Sequence, residues 1–262
     1  MDSILSQNLD GVKFARYHYL YSVKLFLEQP IPMSKFDTIR QQVLDYSQRL
    51  AQEGFLKGTG GNVSIRRLNQ DILAITPSNQ DYFAITPNDV CVHRFDQSKV
   101  EGDLKPSIEM GFHIAVYQAR PDVGCVMHTH QDFASAIALI GKSIPALFDE
   151  QVRFLGRSVE VIPYAPSGTG FLVKQVRKAV KNHHNAYILK NHGVLCLGPD
   201  PERTFHNVLL LEKAALSYLL ALYTEEKISK IPAVIREIAF GKLRSEQKKI
   251  EERLAALSKG SV

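Results

Sequence analysis

Asp122-Val-Gly-Cys-Val-Met-His128-Thr-His130 is the stretch around which the chain can be organised. Its apolar run follows the Arg120–Pro121 break and reads as a buried strand. Successive side chains on a strand point to opposite faces, so His128 and His130 share one face and Thr129 takes the other. Two imidazoles on one face can hold a single metal ion. A lone His-x-His pair is a weak signal, since either ring serves equally well as a hydrogen-bonded core or surface side chain.

Outward from that strand, helix and strand signals alternate. Ser34 as an N-cap, with the stripe Ile39, Val43, Leu44, Tyr46 and Leu50, predicts a helix that Gly54 stops. Between Lys57 and Arg66, glycines at 58, 60 and 61 allow positive φ and close approach of backbone to a ligand. Successive N–H groups in such a turn can form an anion-binding nest. Strand Val63–Arg66 follows, not the helix that the Walker and dinucleotide patterns need. Asp71–Ile75 and Val90–Phe95 are further strands, with Thr-Pro turns at 76–77 and 86–87 and an Asn79 suited to αL geometry. Pro106, Ser107 and Glu109 are predicted in the first turn of a helix running to about Ala119. Beyond the histidines come a helix over Phe133–Ile140 closed by Gly141, the segment Leu147–Phe154 with Asp149 and Glu150, a strand Val159–Ile162 and a helix Ser167–Asn182. Strands Ala186–Leu189 and Val194–Leu197 then flank Lys190-Asn-His192-Gly193, before a long apolar helix Pro201–Tyr223. Such alternation predicts an α/β layered fold, and the short connections in 60–95 predict a mixed sheet. The expected organisation is an N-terminal helical extension (1–33), one main domain (34–224) and a charged helical tail (225–262) packed on or extending it.

The 262 residues are 45% hydrophobic and 23% charged, which suffices for one large core. The net charge of +5 is mild and lacks the basic stripe with interleaved aromatics that nucleic acid requires, so an anionic small molecule is the expected partner. No apolar stretch is read as long enough to span a membrane, and Met1–Asp10 has no signal-peptide pattern, so a cytoplasmic protein is expected. Cys91, Cys125 and Cys196 stand apart in apolar runs, as buried thiols of a reducing compartment do.

His192, at another strand end beside a glycine, strengthens the metal reading. Three imidazoles with an open fourth position make a catalytic rather than a structural arrangement. A nearby carboxylate closes the site or acts as the base, and the ion polarises a carbonyl as a Lewis acid.

Gly58-Thr-Gly-Gly-Asn-Val-Ser-Ile-Arg66, Ile75-Thr-Pro-Ser78, Lys105-Pro-Ser-x-Glu109, His128-Thr-His130 and Asn191-His-Gly193 occur in one order. Over residues 34–224 the chain thereby resembles the class II aldolase/adducin family, which includes fuculose-phosphate and rhamnulose-phosphate aldolases, ribulose-phosphate epimerase and decarboxylases. The resemblance implies a three-layer α/β/α sandwich on a central mixed sheet, in a homotetramer. It implies Zn2+, with Mn2+ or Co2+ as alternatives, on His128, His130 and His192. Glu109 matches the acid/base, which also ligates the resting metal. Thr59, Gly60, Gly61, Asn62, Ser78, Asn79 and Ser107 match phosphate-binding positions. The implied reaction is retro-aldol cleavage of a ketose 1-phosphate to dihydroxyacetone phosphate and an aldehyde through a metal-stabilised enediolate. Ile108 and Asn79 stand where the family often has Ser and Gly, which points to a weaker phosphate grip or to a sugar acid. Some aldolases carry a tyrosine proton donor near Asp149, so Asp149 and Glu150 are candidates for a second acid/base. Decarboxylation of a 3-oxo sugar acid, and epimerase or dehydratase chemistry, fit the same scaffold; Glu109 stands where the epimerase branch has Asp. A non-enzymatic adducin-like module would not need the three histidines and Glu109.

Overall fold

The computed structural model describes residues 34–259 other than Asn69. The expected extension over 1–33 lies outside the described residues. In chain order the elements are α1 (Asp37–Gln52), β1 (Asn62–Arg67), β2 (Ile72–Ile75), β3 (Cys91–Arg94), β4 (Lys99–Glu101), α2 (Met110–Ala119), β5 (Cys125–Thr129) and α3 (Asp132–Ile140). They continue with α4 (Asp149–Leu155), β6 (Glu160–Ile162), α5 (Gly170–Ala179), β7 (Ala186–Leu189), β8 (Gly193–Gly198), α6 (Pro201–Tyr223) and α7 (Ala233–Lys259).

The strands form one sheet in the order β4-β3-β2-β1-β5-β8-β7-β6. Only β6–β7 is parallel, so the sheet is mixed. Alternation along β5 shows how it is covered. Cys125 and Met127 join a core with Val43 and Leu50 of α1, Ala134 and Ile137 of α3, and Val208 and Leu211 of α6. Val126 joins the opposite core with Phe112 and Ile114 of α2 and Leu172 and Val176 of α5. Helices therefore cover both faces of the sheet, the three-layer α/β/α sandwich that the sequence motifs implied. All three cysteines are buried and free.

Three helix starts differ from expectation; α5 begins at Gly170, after the turn at 166–168, and not at Ser167. α1 begins at Asp37 with Phe36 as N-cap and no side-chain cap, not at Ser34. Phe36 is fully buried, so its packing into the core sets the entry of the helix. Pro106, Ser107 and Glu109 do not form a first turn either; α2 begins at Met110. The preceding loop is pinned elsewhere: Pro106 bridges to Pro77, and Ser107 N donates to Thr76 O. Glu109 becomes the N-cap residue without using its side chain as a cap, which leaves the carboxylate for other partners.

Contrary to the expectation of no spanning stretch, α6 is long and apolar enough to cross a membrane by length and composition. Its Val208, Leu211, Ala214 and Ala215 are instead fully buried in the core over the sheet. α7 lies against α4, where Phe240 and Leu243 pack with Ala146 and Val152. Arg157 pairs with Glu237 at 2.7 Å, Arg153 pairs with Glu246, and Gln247 Nε2 donates to His183 O.

Arg120, fully buried at the end of α2, donates from Nε and Nη2 to both oxygens of Asp122 (2.8 and 2.7 Å) and from Nη1 to His184 O at 2.8 Å. It thus ties α2 and β5 to the entry of β7. Removing one member of a buried pair strands the other charge, so Arg120→Ala should cost about 3–5 kcal/mol. The midpoint of urea unfolding measures this. A loss below about 1 kcal/mol, the level of an exposed pair, would show that water reaches Asp122.

Candidate active site

The two histidines at the end of β5 share a face, as their spacing predicts. His128 is fully buried, with the edge of its ring against Phe112 (centroids 5.7 Å apart, planes at 89°). Its Nδ1 lies 2.8 Å from Val194 O, so Nδ1 carries the proton and Nε2 keeps a free lone pair. His130 Nε2 is 3.0 Å from that atom. His192 comes from the β7–β8 turn, where Asn191 adopts φ 56° and His192 N donates to Leu189 O at 3.0 Å. One nitrogen from each of the three rings lies within 4.8 Å of the others.

Packing three rings this tightly excludes side chains next to them. A Cβ on Gly193 would stand 2.5 Å from His130 Cδ2 and 2.6 Å from Thr129 O. On Gly61, at φ 79°, it would stand 2.7 Å from His128 O and 2.5 Å from Leu56 Cδ2.

Glu109 reaches the same space. Its Oε2 is 3.3 Å from His128 Nε2 and its Oε1 is 3.2 Å from His192 Nε2. Asn62 Nδ2 donates to Oε2 at 2.8 Å. Burial acts to raise the carboxyl pKa, but the neighbouring His128 and His192 and the Asn62 hydrogen bond outweigh it and hold the group well below the usual carboxylate range. Burial lowers the His128 ring to about 4 against the opposing pull of Glu109, and it also lowers His130. Near neutral pH the site thus holds an anionic Glu109 carboxylate beside a neutral His128 ring. Glu109 Oε1 is buried and has no hydrogen-bond donor. Three convergent imidazole nitrogens and a carboxylate oxygen lacking a donor are a ligand set that suits a divalent cation such as zinc.

Beside them opens a cleft of about 240 Å³. Thr59, Gly60, Gly61, Asn62, Ser78, Asn79 and Ser107 line it, facing Glu109, His130 and His192. Asn79 adopts φ 57°, and Thr59 Oγ1 donates to Asn79 Oδ1 at 3.0 Å. The Ile108 side chain stands in the same cleft and is 68% exposed. Asp149 and Glu150 are not brought to it. They occupy the exposed first turn of α4, where Glu150 lies 3.5 Å from His206 Nε2 and 3.9 Å from Lys213 Nζ.

The site also contains residues that sequence reasoning missed. Ser167 lines the cleft with its Oγ 3.2 Å from His192 Nε2; its only signal was the Pro-Ser-Gly turn before α5. Tyr82 donates to Gly61 O at 2.7 Å and braces the glycine turn. Behind Asn62, His113 Nε2 lies 2.5 Å from Asn62 Oδ1 and His113 Nδ1 lies 2.7 Å from Ser64 Oγ. Tyr117 OH continues the row at 2.7 Å from Ser64 Oγ. A polar residue inside an otherwise apolar helix was the available clue to His113.

Residues 41–219 match the family described as Class II Aldolase and Adducin N-terminal domain. The chain is 30% identical over 214 residues to L-fuculose phosphate aldolase of Escherichia coli strain K12, covering 82% of this chain and 98% of that one. It is 34% identical over 156 residues to 5-deoxy-D-ribulose 1-phosphate aldolase of Bacillus thuringiensis serovar kurstaki, covering 60% and 72% respectively. A solved L-fuculose 1-phosphate aldolase superposes with a TM-score of 0.75 at 30% identity, covering 81% of this chain and 98% of that chain.

Two outcomes are expected. Gly193→Ala should displace His130 and weaken metal affinity by about 10-fold or more, the scale on which misplaced ligands act. Titration with a chelator would read this, and unchanged affinity would show that the turn yields. In metal-free protein, burial depresses His128 and His184 to about 4 and His113 to about 3. The unfolded chain binds those protons first, so stability should fall as pH drops from about 6.5, the free histidine value, towards 4. Equal urea midpoints at pH 7.5 and 5 would contradict this.

Proposed function

Because the chain belongs to the class II aldolase and adducin family, we propose that it cleaves a phosphorylated ketose by a metal-assisted retro-aldol reaction. One observation carries the reading: three imidazoles and an ionised Glu109 share one space beside a cleft lined with hydroxyls, an amide and backbone. His128, His130 and His192 would hold the ion, with Glu109 beside them; zinc suits this donor set, with Mn2+ or Co2+ as alternatives. Bound there, the ion supplies a Lewis acid that polarises the carbonyl and takes up the negative charge that develops.

The protein's own groups supply the rest. In the aldol direction ionised Glu109 removes a proton from the carbon beside the carbonyl; in cleavage the same group returns it. Asn62 orients that carboxylate. The Thr59–Asn62 turn, Ser78, Asn79 and Ser107 receive the phosphate. Relatives named for ketose 1-phosphates support a substrate of that class, which would yield dihydroxyacetone phosphate and an aldehyde. Ile108, standing where a further hydroxyl would bind the anion, favours a second reading, decarboxylation of a 3-oxo sugar acid. In this reading residues 34–224 form the catalytic domain of a cytoplasmic homotetramer.

Purified protein should carry about one divalent ion per chain, as a three-histidine centre implies, and lose activity on chelation. A panel of ketose 1-phosphates, their unphosphorylated forms and 3-oxo acids, scored for aldehyde and for CO₂, separates the two readings. Glu109→Gln should stay folded and lose about 100-fold or more in kcat, the loss expected of a general base. Full activity in that variant would remove Glu109 from its role.

A further inference from the structure

We propose that His113 is a positioning residue for proton transfer: its Nε2–H fixes the side-chain amide of Asn62 so that the NH2 group faces Glu109. The proposal rests on the aldolase reading above.

The argument follows the protons. An ionised carboxylate only accepts hydrogen bonds, so Asn62 must turn its NH2 towards Glu109 Oε2 and its oxygen towards His113. His113 Nε2 then has to be the N–H of the ring. A neutral imidazole has one N–H, so Nδ1 must accept, and Ser64 Oγ–H donates to it. Tyr117 OH ends the row, 2.7 Å from Ser64 Oγ and donating to Ser64 O at 2.8 Å. From Asn62 to Ser64 each proton has one place; the Tyr117 hydroxyl proton has two acceptors, Ser64 O and Ser64 Oγ. His113 and Ser64 are fully buried, and Asn62 is only 3% exposed, so water does not substitute for a lost member.

Asn62 has little other freedom. Its backbone pairs with His128 across β1–β5, which leaves a half-turn of the terminal amide as the motion that matters. That half-turn would set Oδ1 against the carboxylate, and His113 blocks it by needing an acceptor at the same position. The ring itself is held by stacking on Phe112, with centroids 4.7 Å apart. Burial lowers its pKa to about 3, so the ring remains neutral in the working range. A position among Phe112, Ile114 and Val116 would suit an aliphatic side chain, and an imidazole there is retained only because both nitrogens are bonded.

The test compares metal-loaded wild type with His113→Leu, His113→Gln, Asn62→Ala and the His113→Leu/Asn62→Ala double variant, measuring ketose 1-phosphate cleavage and metal content. His113→Leu should lower kcat roughly 10- to 100-fold, the worth of one hydrogen bond to a charged group, with KM changed by less than about 3-fold and metal content kept. Gln, which retains an N–H donor, should recover most of the loss. The double variant should be no slower than Asn62→Ala, since His113 acts through Asn62. Wild-type kcat in His113→Leu, multiplying losses in the double variant, or a Gln variant as slow as Leu would overturn the role. Should the Leu variant not fold, Ser64→Ala frees the ring to move its proton to Nδ1. It should lower kcat at constant KM, and an unaltered kcat there overturns the proposal too. Wild type that cleaves no ketose 1-phosphate defeats the aldolase reading; wild type that cleaves while the variants are unimpaired defeats only the part given to His113.

Discussion

The site depends on the register of one strand between two others. Asn62 of β1 stands opposite His128 of β5, and His128 stands opposite Leu195 of β8. A slip of one residue on either side would turn the ligand face of β5 into the opposite core. The glycines enforce this from both flanks. Gly61 approaches the His128 carbonyl and Gly193 approaches that of Thr129, both closer than any Cβ allows. The backbone itself forms the wall of the metal centre, and the imidazoles inherit their positions from the sheet.

Charge is divided sharply across this wall. The buried half holds a carboxylate kept ionised by its neighbours and a His128 ring whose pKa burial lowers. Beside Glu109 and the histidines, the cleft lining among the described residues is hydroxyls, amides, backbone and the Ile108 side chain, with no lysine or arginine. In the proposed reading, neutral donors would hold a phosphate without the strong grip of a fixed cation. Lys57, the nearest cation by sequence to the glycine turn, is engaged by Asp132 on the exposed side. Ile108 makes the cleft less polar still.

Much of this was legible where local chemistry decides the outcome. Gly54, Asn79 and Gly141 adopt the positive φ that their residue types suggest, and the period of two put His128 and His130 on one face. Helix starts were misread where distant contacts decide. Ser34 has the better capping chemistry, yet the buried Phe36 ends up at the cap, and the loop before α2 follows its bridge to Pro77. The length and composition of α6 fit a membrane span, and only its packing against β5, β8 and α3 shows it to be a core helix. His113 offered only a local clue, a polar residue between Phe112 and Ile114; its partner Asn62 is 51 residues distant, and only the fold brings them together. Asp149 and Glu150 were singled out by position along the chain, but that position is on the exposed first turn of α4.

The order of the strands also bears on how the protein reaches this state. β1 to β4 form a meander of neighbours, which closes short loops. β1–β5 and β5–β8 are long-range pairings; His128 and its partner Val194 lie 66 residues apart. Loops of that length close late, after local structure has formed. The candidate ligands are split between the end of β5, the β7–β8 turn and the N-cap of α2, so no partial arrangement of the chain offers the complete set. An ion held there would therefore enter at the end of folding, acting on the finished protein rather than guiding its assembly.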